Sequence, residues 1–110
     1  MNISSMIELD LKNPDSVQNF LDMNAMDHET IYEALMRKFN QSVPHYSLWT
    51  ESGISEDWLL LHDQEHRAIS DLLTLYMPVD LTNLDANNVN DWVNDHVLAH
   101  SQINQALGLT

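Results

Sequence analysis

The sequence predicts an all-α fold: a small three-helix bundle whose long helices come from a degenerate internal repeat, with room for one or two very short strands. Three observations carry this. Trp-x-x-x-His-x-x-x-His occurs twice, as Trp58/His62/His66 and Trp92/His96/His100, and each copy continues into an Ile, Ile69 or Ile103. A degenerate third copy, Phe20/Asn24/His28/Ile31, has Phe for Trp and Asn for the first His. Steps of four, four and three residues put all of these side chains on one face of a helix, whose period is 3.6.

The first helix is predicted from about Pro14 to Phe39. Asn13 is suited to cap it, and Pro14 stands at the first helical position, where its missing N–H costs nothing. Val43-Pro44 bars continuation, because a residue before Pro is pushed out of the α region. The second helix is predicted over 55–76, with Ser55 as cap, Glu56 and Asp57 at its positive end, and Pro78 beyond. The third is predicted over 85–107, capped by Asp85 and stopped by Gly108, which readily takes a left-handed conformation. Between them, residues 40–54 carry His45, Tyr46, Leu48 and Trp49, too apolar for a free linker. The alternating segments Ile7–Leu11 and Val79–Leu81 are the two strand candidates. The expected core is Phe20, Ile31, Leu35, Trp58, Ile69, Leu73, Trp92, Ile103 and Leu107, in a single domain of residues 1–110.

Composition sets further bounds. The chain has 110 residues, 4 Lys+Arg against 17 Asp+Glu, a net charge of −13, 6 His, 2 Gly and no Cys. So acidic a surface repels a phosphate backbone, which excludes ordinary nucleic-acid binding and leaves an acidic DNA-mimic inhibitor as a possible role. Without Cys there is no disulfide framework and no thiolate metal site. Two Gly cannot build phosphate-cradling loops or nucleophile elbows. The start has no secretory-signal pattern, and the longest apolar run, Trp58–Leu61, is far short of the ~20 residues that span a bilayer. Neither export nor a membrane is expected. Ser52, Asp57 and His62 supply the residue types of a hydrolytic triad, but nothing supplies an oxyanion hole, so the chain is expected not to be an enzyme.

The histidines admit two readings. His62/His66 and His96/His100 are i,i+4 pairs able to chelate zinc or iron, with His28 as a further ligand and Asp27, Glu29, Asp63, Glu65 and Asp95 close in sequence to orient the rings. The hemerythrin class of di-iron bundles is the nearest ligand resemblance. It covers only His-x-x-x-His, since that class uses further His and carboxylate ligands on four helices. The alternative, placed ahead of metal on the sequence alone, makes the five imidazoles polar core residues that hydrogen-bond among themselves and need no cofactor. Either way they are expected to lie close together at the helix interface.

Trp-x-x-x-His-x-x-x-His-x-x-Ile, twice, with a terminal Ala106-Leu-Gly-Leu109, resembles small helical proteins encoded among the structural genes of tailed bacteriophages, over about residues 55–110. The resemblance implies a non-enzymatic structural or assembly protein of the phage particle, a connector, neck, tail or cement-type subunit. Such a subunit docks in multiple copies onto other protein subunits, in the virion or the host cytoplasm. No catalytic residue carries over. The docking contacts are expected at Ile7, Leu9 and Leu11 and at the loop residues Tyr46, Leu48 and Trp49, because apolar and aromatic anchors carry most binding energy.

Overall fold

The computed structural model describes residues 9–42, 53–76 and 80–109. They form three helices, α1 (Pro14–Phe39), α2 (Glu56–Leu72) and α3 (Val89–Ala106), and there is no strand among the described residues. Asn13 caps α1 as expected, its side chain accepting from the backbone N–H groups of Asp15 and Ser16. Ser55 caps α2 by accepting from Trp58 N.

Two helix ends differ from the sequence expectation. α2 stops at Leu72, because Leu73 is its C-cap and Thr74 takes a left-handed φ of 58° while its N–H returns to the Asp71 carbonyl. The chain has therefore left the helix before Pro78 can act. α3 starts at Val89, because Asp85 caps a separate turn: its carboxylate accepts from the N–H groups of Asn87 and Asn88. Of the strand candidates, residues 9–11 and 80–81 have no strand conformation, and the remainder lie outside the described residues.

The repeat sets the packing. Phe20, Trp58 and Trp92 share one apolar cluster with Leu21, Leu59, Leu81 and Val93. Ile31, Ile69 and Ile103 share a second with Leu35 and Leu107. Equivalent residues thus meet equivalent residues, and the N-terminal ends of all three helices lie at one end of the bundle. The helices are parallel. The Lys38 ammonium, at the end of α1, donates to the Leu107 carbonyl at the end of α3, which closes the opposite end. All the expected core residues are buried except Leu73, which is half-buried.

Parallel helices require each connection to travel back along the bundle. The return from α2 to α3 is pinned at Leu81, which is fully buried. Its N–H donates to the Asp63 carboxylate at 3.0 Å, and its carbonyl accepts from Trp92 Nε1 at 3.1 Å. Asp63 is held in turn by Arg67, one turn along α2, at 2.8 Å.

Candidate metal centre

Between the two apolar clusters the bundle is polar. Asn24, His28, His62, His66, His96 and His100 are all completely buried there. Periodicity puts them on the inner face, and the parallel arrangement stacks them in two layers of three. The lower layer is His28, His66 and His100, one from each helix, with ring centroids 4.8, 4.8 and 4.7 Å apart, close to an equilateral triangle. The upper layer is Asn24, His62 and His96, and its two imidazole centroids are 5.0 Å apart. Above it sit the aromatic residues: Trp58 stacks on His62 at 4.4 Å, Trp92 stacks on His96 at 4.9 Å, and Phe20 lies 5.4 Å from His96.

The imidazoles point their Nε2 atoms at one another. His28 Nε2 is 3.1 Å from His100 Nε2, and His62 Nε2 is 3.1 Å from His66 Nε2 and 3.3 Å from His96 Nε2. One ligand atom from each of the five lies within 4.8 Å of all the others. With metal–nitrogen bonds of ~2.1 Å, neighbouring ligands of an octahedral ion are ~3.0 Å apart, those of a tetrahedral ion ~3.4 Å, and opposite ones ~4.2 Å. The three short separations match neighbouring ligands of one ion, whereas the 4.8 Å limit for the five exceeds the ~4.2 Å of opposite ligands, so the rings would draw slightly inward around a single ion.

Two carboxylates close the site from behind. Glu65 on α2 takes the Nδ1 of His28 on α1, and Asp27 on α1 takes the Nδ1 of His100 on α3; both acids are buried. Each acid immediately precedes a lower-layer histidine and serves the next helix round. The corresponding residue on α3 is Ala99, and the ring it would serve, His66, has no partner for Nδ1 among the described residues. The threefold carboxylate pattern is thus broken at one corner. The Nδ1 atoms of His62 and His96 and both side-chain polar atoms of Asn24 are also without hydrogen-bond partners among the described residues.

Electrostatics favours neutral rings. Burial, followed by repulsion from the neighbouring imidazoles, holds His62, His66 and His96 well below the usual histidine range. Burial also lowers His100 to about 4, against the opposing pull of Asp27. Neutral imidazoles with in-turned lone pairs are metal ligands by chemistry, and neutral imidazole is the form that binds.

The sequence-predicted residues divide accordingly. His28, His62, His66, His96 and His100 come together. Of the five acids near them in sequence, Asp27 and Glu65 hold the rings. Asp63 instead pins the α2–α3 connection, Glu29 is exposed and Asp95 is half-buried. The role of Asn24 was missed, although it occupies the first-His position of copy one and the repeat itself marks it as a member of the site. Of the expected docking residues, Leu9 and Leu11 are half-buried, with Leu9 packed on the upper apolar cluster. Ile7, Tyr46, Leu48 and Trp49 lie outside the described residues, as do His45 and Ser52. No helix among the described residues is long and apolar enough to cross a membrane. Compared with known proteins, the chain matches no family model, no curated protein and no solved structure.

Proposed function

We propose that this chain is a metal-binding bundle that holds a single divalent transition ion through the Nε2 atoms of His28, His62, His66, His96 and His100. The observation that carries the reading is the pair His28/His100. Each ring turns its Nδ1 to a carboxylate, so in the neutral form Nδ1 carries the proton and Nε2 a bare lone pair; yet the two Nε2 atoms are 3.1 Å apart. Two lone pairs at that distance repel unless a Lewis acid lies between them. A proton can bridge two nitrogens, but five converge here. The charge balance points the same way. Asp27 and Glu65 are both buried against the rings they hold, and a dication bound by those rings offsets negative charge whose burial costs several kcal/mol per ion. Five imidazole donors exceed the tetrahedral set that zinc prefers and suit iron(II), which favours six.

The test is retention. Chain stripped with a chelator, then dialysed anaerobically against iron(II) or zinc, is expected to keep a single equivalent of the ion supplied by elemental mass spectrometry. His28→Ala/His100→Ala is expected to lose it. A native chain with intact helices by circular dichroism that retains neither ion overturns the proposal. A non-enzymatic docking role in a phage-type particle, implied by the sequence resemblance, is a separate proposal compatible with this one; co-purification with virions is its test.

A further inference from the structure

The six inner positions of the two layers are five histidines and Asn24. Two stacked triangles of donors make a six-coordinate set, octahedral when staggered and prismatic when eclipsed, so the layers supply a six-coordinate ion with five ligands and one amide. Asn24 lies on α1 one turn beyond Phe20 and one turn before His28. Phe20 reaches His96 at 5.4 Å and His28 reaches His62 at 5.2 Å, so the side chain between them faces the upper layer that His62 and His96 complete. It is completely buried, and neither Oδ1 nor Nδ2 has a hydrogen-bond partner among the described residues. A buried amide with both ends unsatisfied costs about 1–3 kcal/mol per group, so something that hydrogen-bonds to it is called for. The amide also stops one covalent bond short of where a histidine Nε2 would be. The amide therefore stands back from the point on which the five rings converge.

We propose that this corner is an exchangeable ligand position: a small Lewis base, water at rest and a small anion on exchange, binds the ion there and is held by the Asn24 amide. The inference rests on the metal-binding reading and adds to it an open position with a built-in hydrogen-bonding partner. Water suits both ends of the amide, since it donates to Oδ1 and accepts from Nδ2 while one lone pair faces the ion. An anion of two or three atoms accepts from Nδ2 alone. Large ligands are excluded, because every residue around the corner is buried: Phe20, Asn24, His62 and His96 are each no more than 1% exposed.

The experiment uses the full chain loaded with cobalt(II), whose visible absorption reports coordination, and azide as the probe. In the native protein X-ray absorption is expected to give six nitrogen-or-oxygen neighbours with the outer-shell scattering of about five imidazoles, and azide is expected to shift the visible bands in a saturable way. Asn24→Leu removes the hydrogen bonds and is expected to weaken azide binding about tenfold, with cobalt still bound. Asn24→His fills the corner with a sixth imidazole and is expected to abolish the azide response, again with cobalt bound. Native protein that holds cobalt but ignores azide overturns the inference while leaving the metal reading intact, as does unchanged azide affinity in a folded Asn24→Leu variant. Native protein that holds no cobalt overturns both. Because the native measurement needs no substitution, a variant that fails to fold does not protect the proposal.

Discussion

A buried imidazole has two nitrogens to satisfy, and at this centre they do different work. Nε2 faces inward; Nδ1 decides how firmly the ring is held and which tautomer it adopts. Only His28 and His100 have a carboxylate on Nδ1, from Glu65 and Asp27. These two rings are therefore oriented before any ion arrives. Replacing Asp27 with Asn or Glu65 with Gln keeps the shape, removes one negative charge and weakens the hold on one ring. Each is expected to reduce iron(II) affinity about 10- to 100-fold, measured by competition with a coloured chelator. Asp63→Asn is the control, since that acid binds Leu81 N and Arg67 and not a ring. It should alter stability and leave affinity within a few-fold. Equal losses from all three variants would mean that net charge, and not the position of the acids, governs binding.

At the scale of elements, each helix carries the same programme: aromatic, polar, polar, aliphatic, read one turn at a time. The tryptophans do more than fill space. Stacked on His62 and His96, they exclude water from the upper layer and stop those rings from tilting away. Trp58→Ala is expected to cost ~3–5 kcal/mol in chemical denaturation, because it opens a cavity in the upper apolar cluster. An unchanged midpoint would mean that the ring contributes no packing. The other end has its own fastening. Gly108 has a left-handed φ of 71°, and a Cβ there would stand 3.1 Å from Lys38 Nζ, the ammonium that binds Leu107 O. Gly108→Ala is therefore expected to lose about 1–2 kcal/mol from backbone strain alone. Loss of the same size in a Lys38→Met background would separate the strain from the lost contact. Much of this was legible in the sequence: the helices, their caps at Asn13 and Ser55, the stop at Gly108 and the inward histidines all follow from spacing and turn chemistry. The start of α3 was not, because Asp85 is as good a cap for a turn as for a helix. Nor was the choice among acids legible. Asp63 and Glu65 both lie beside His62 and His66 in sequence, and only the direction of each side chain around α2 sends one to Leu81 and the other to His28.

For the whole molecule, the parallel arrangement is what turns three linear motifs into one centre. In an up-and-down bundle, the first-His position of the middle helix would lie level with the second-His positions of its neighbours, and the aromatic cap would be split between two ends. The sixteen residues between α1 and α2, and the same number between α2 and α3, fit long returns, whereas antiparallel neighbours usually need about 2–8. Concentrating five imidazoles in two adjoining layers has a consequence for the stability of the metal-free chain. His62, His66 and His96 resist protonation when folded, and His100 takes a proton only at about 4, whereas in the unfolded chain each titrates near 6.5. The groups facing them are Asp27 and His28 from α1 and Glu65 from α2; of the four lowered rings only His100 has an acid on it, Asp27, and burial outweighs that acid's pull. Below pH 6.5 the unfolded state therefore binds more protons than the folded one, so stability is full above that value and is lost as the pH falls from 6.5 toward 4. Each depressed histidine should remove about 1 kcal/mol between pH 6.5 and 5.5. Surface repulsion works the other way, since a chain of net charge −13 is relieved by added protons, so the total slope mixes the two effects. Comparing chelator-treated native protein with the His62→Gln/His96→Gln variant separates them, because both share one surface. The variant is expected to lose about 2 kcal/mol less than the native chain over that interval in urea denaturation. Parallel losses in the two proteins would show that these rings already carry protons when folded, which would also remove the lone pairs on which the metal centre depends.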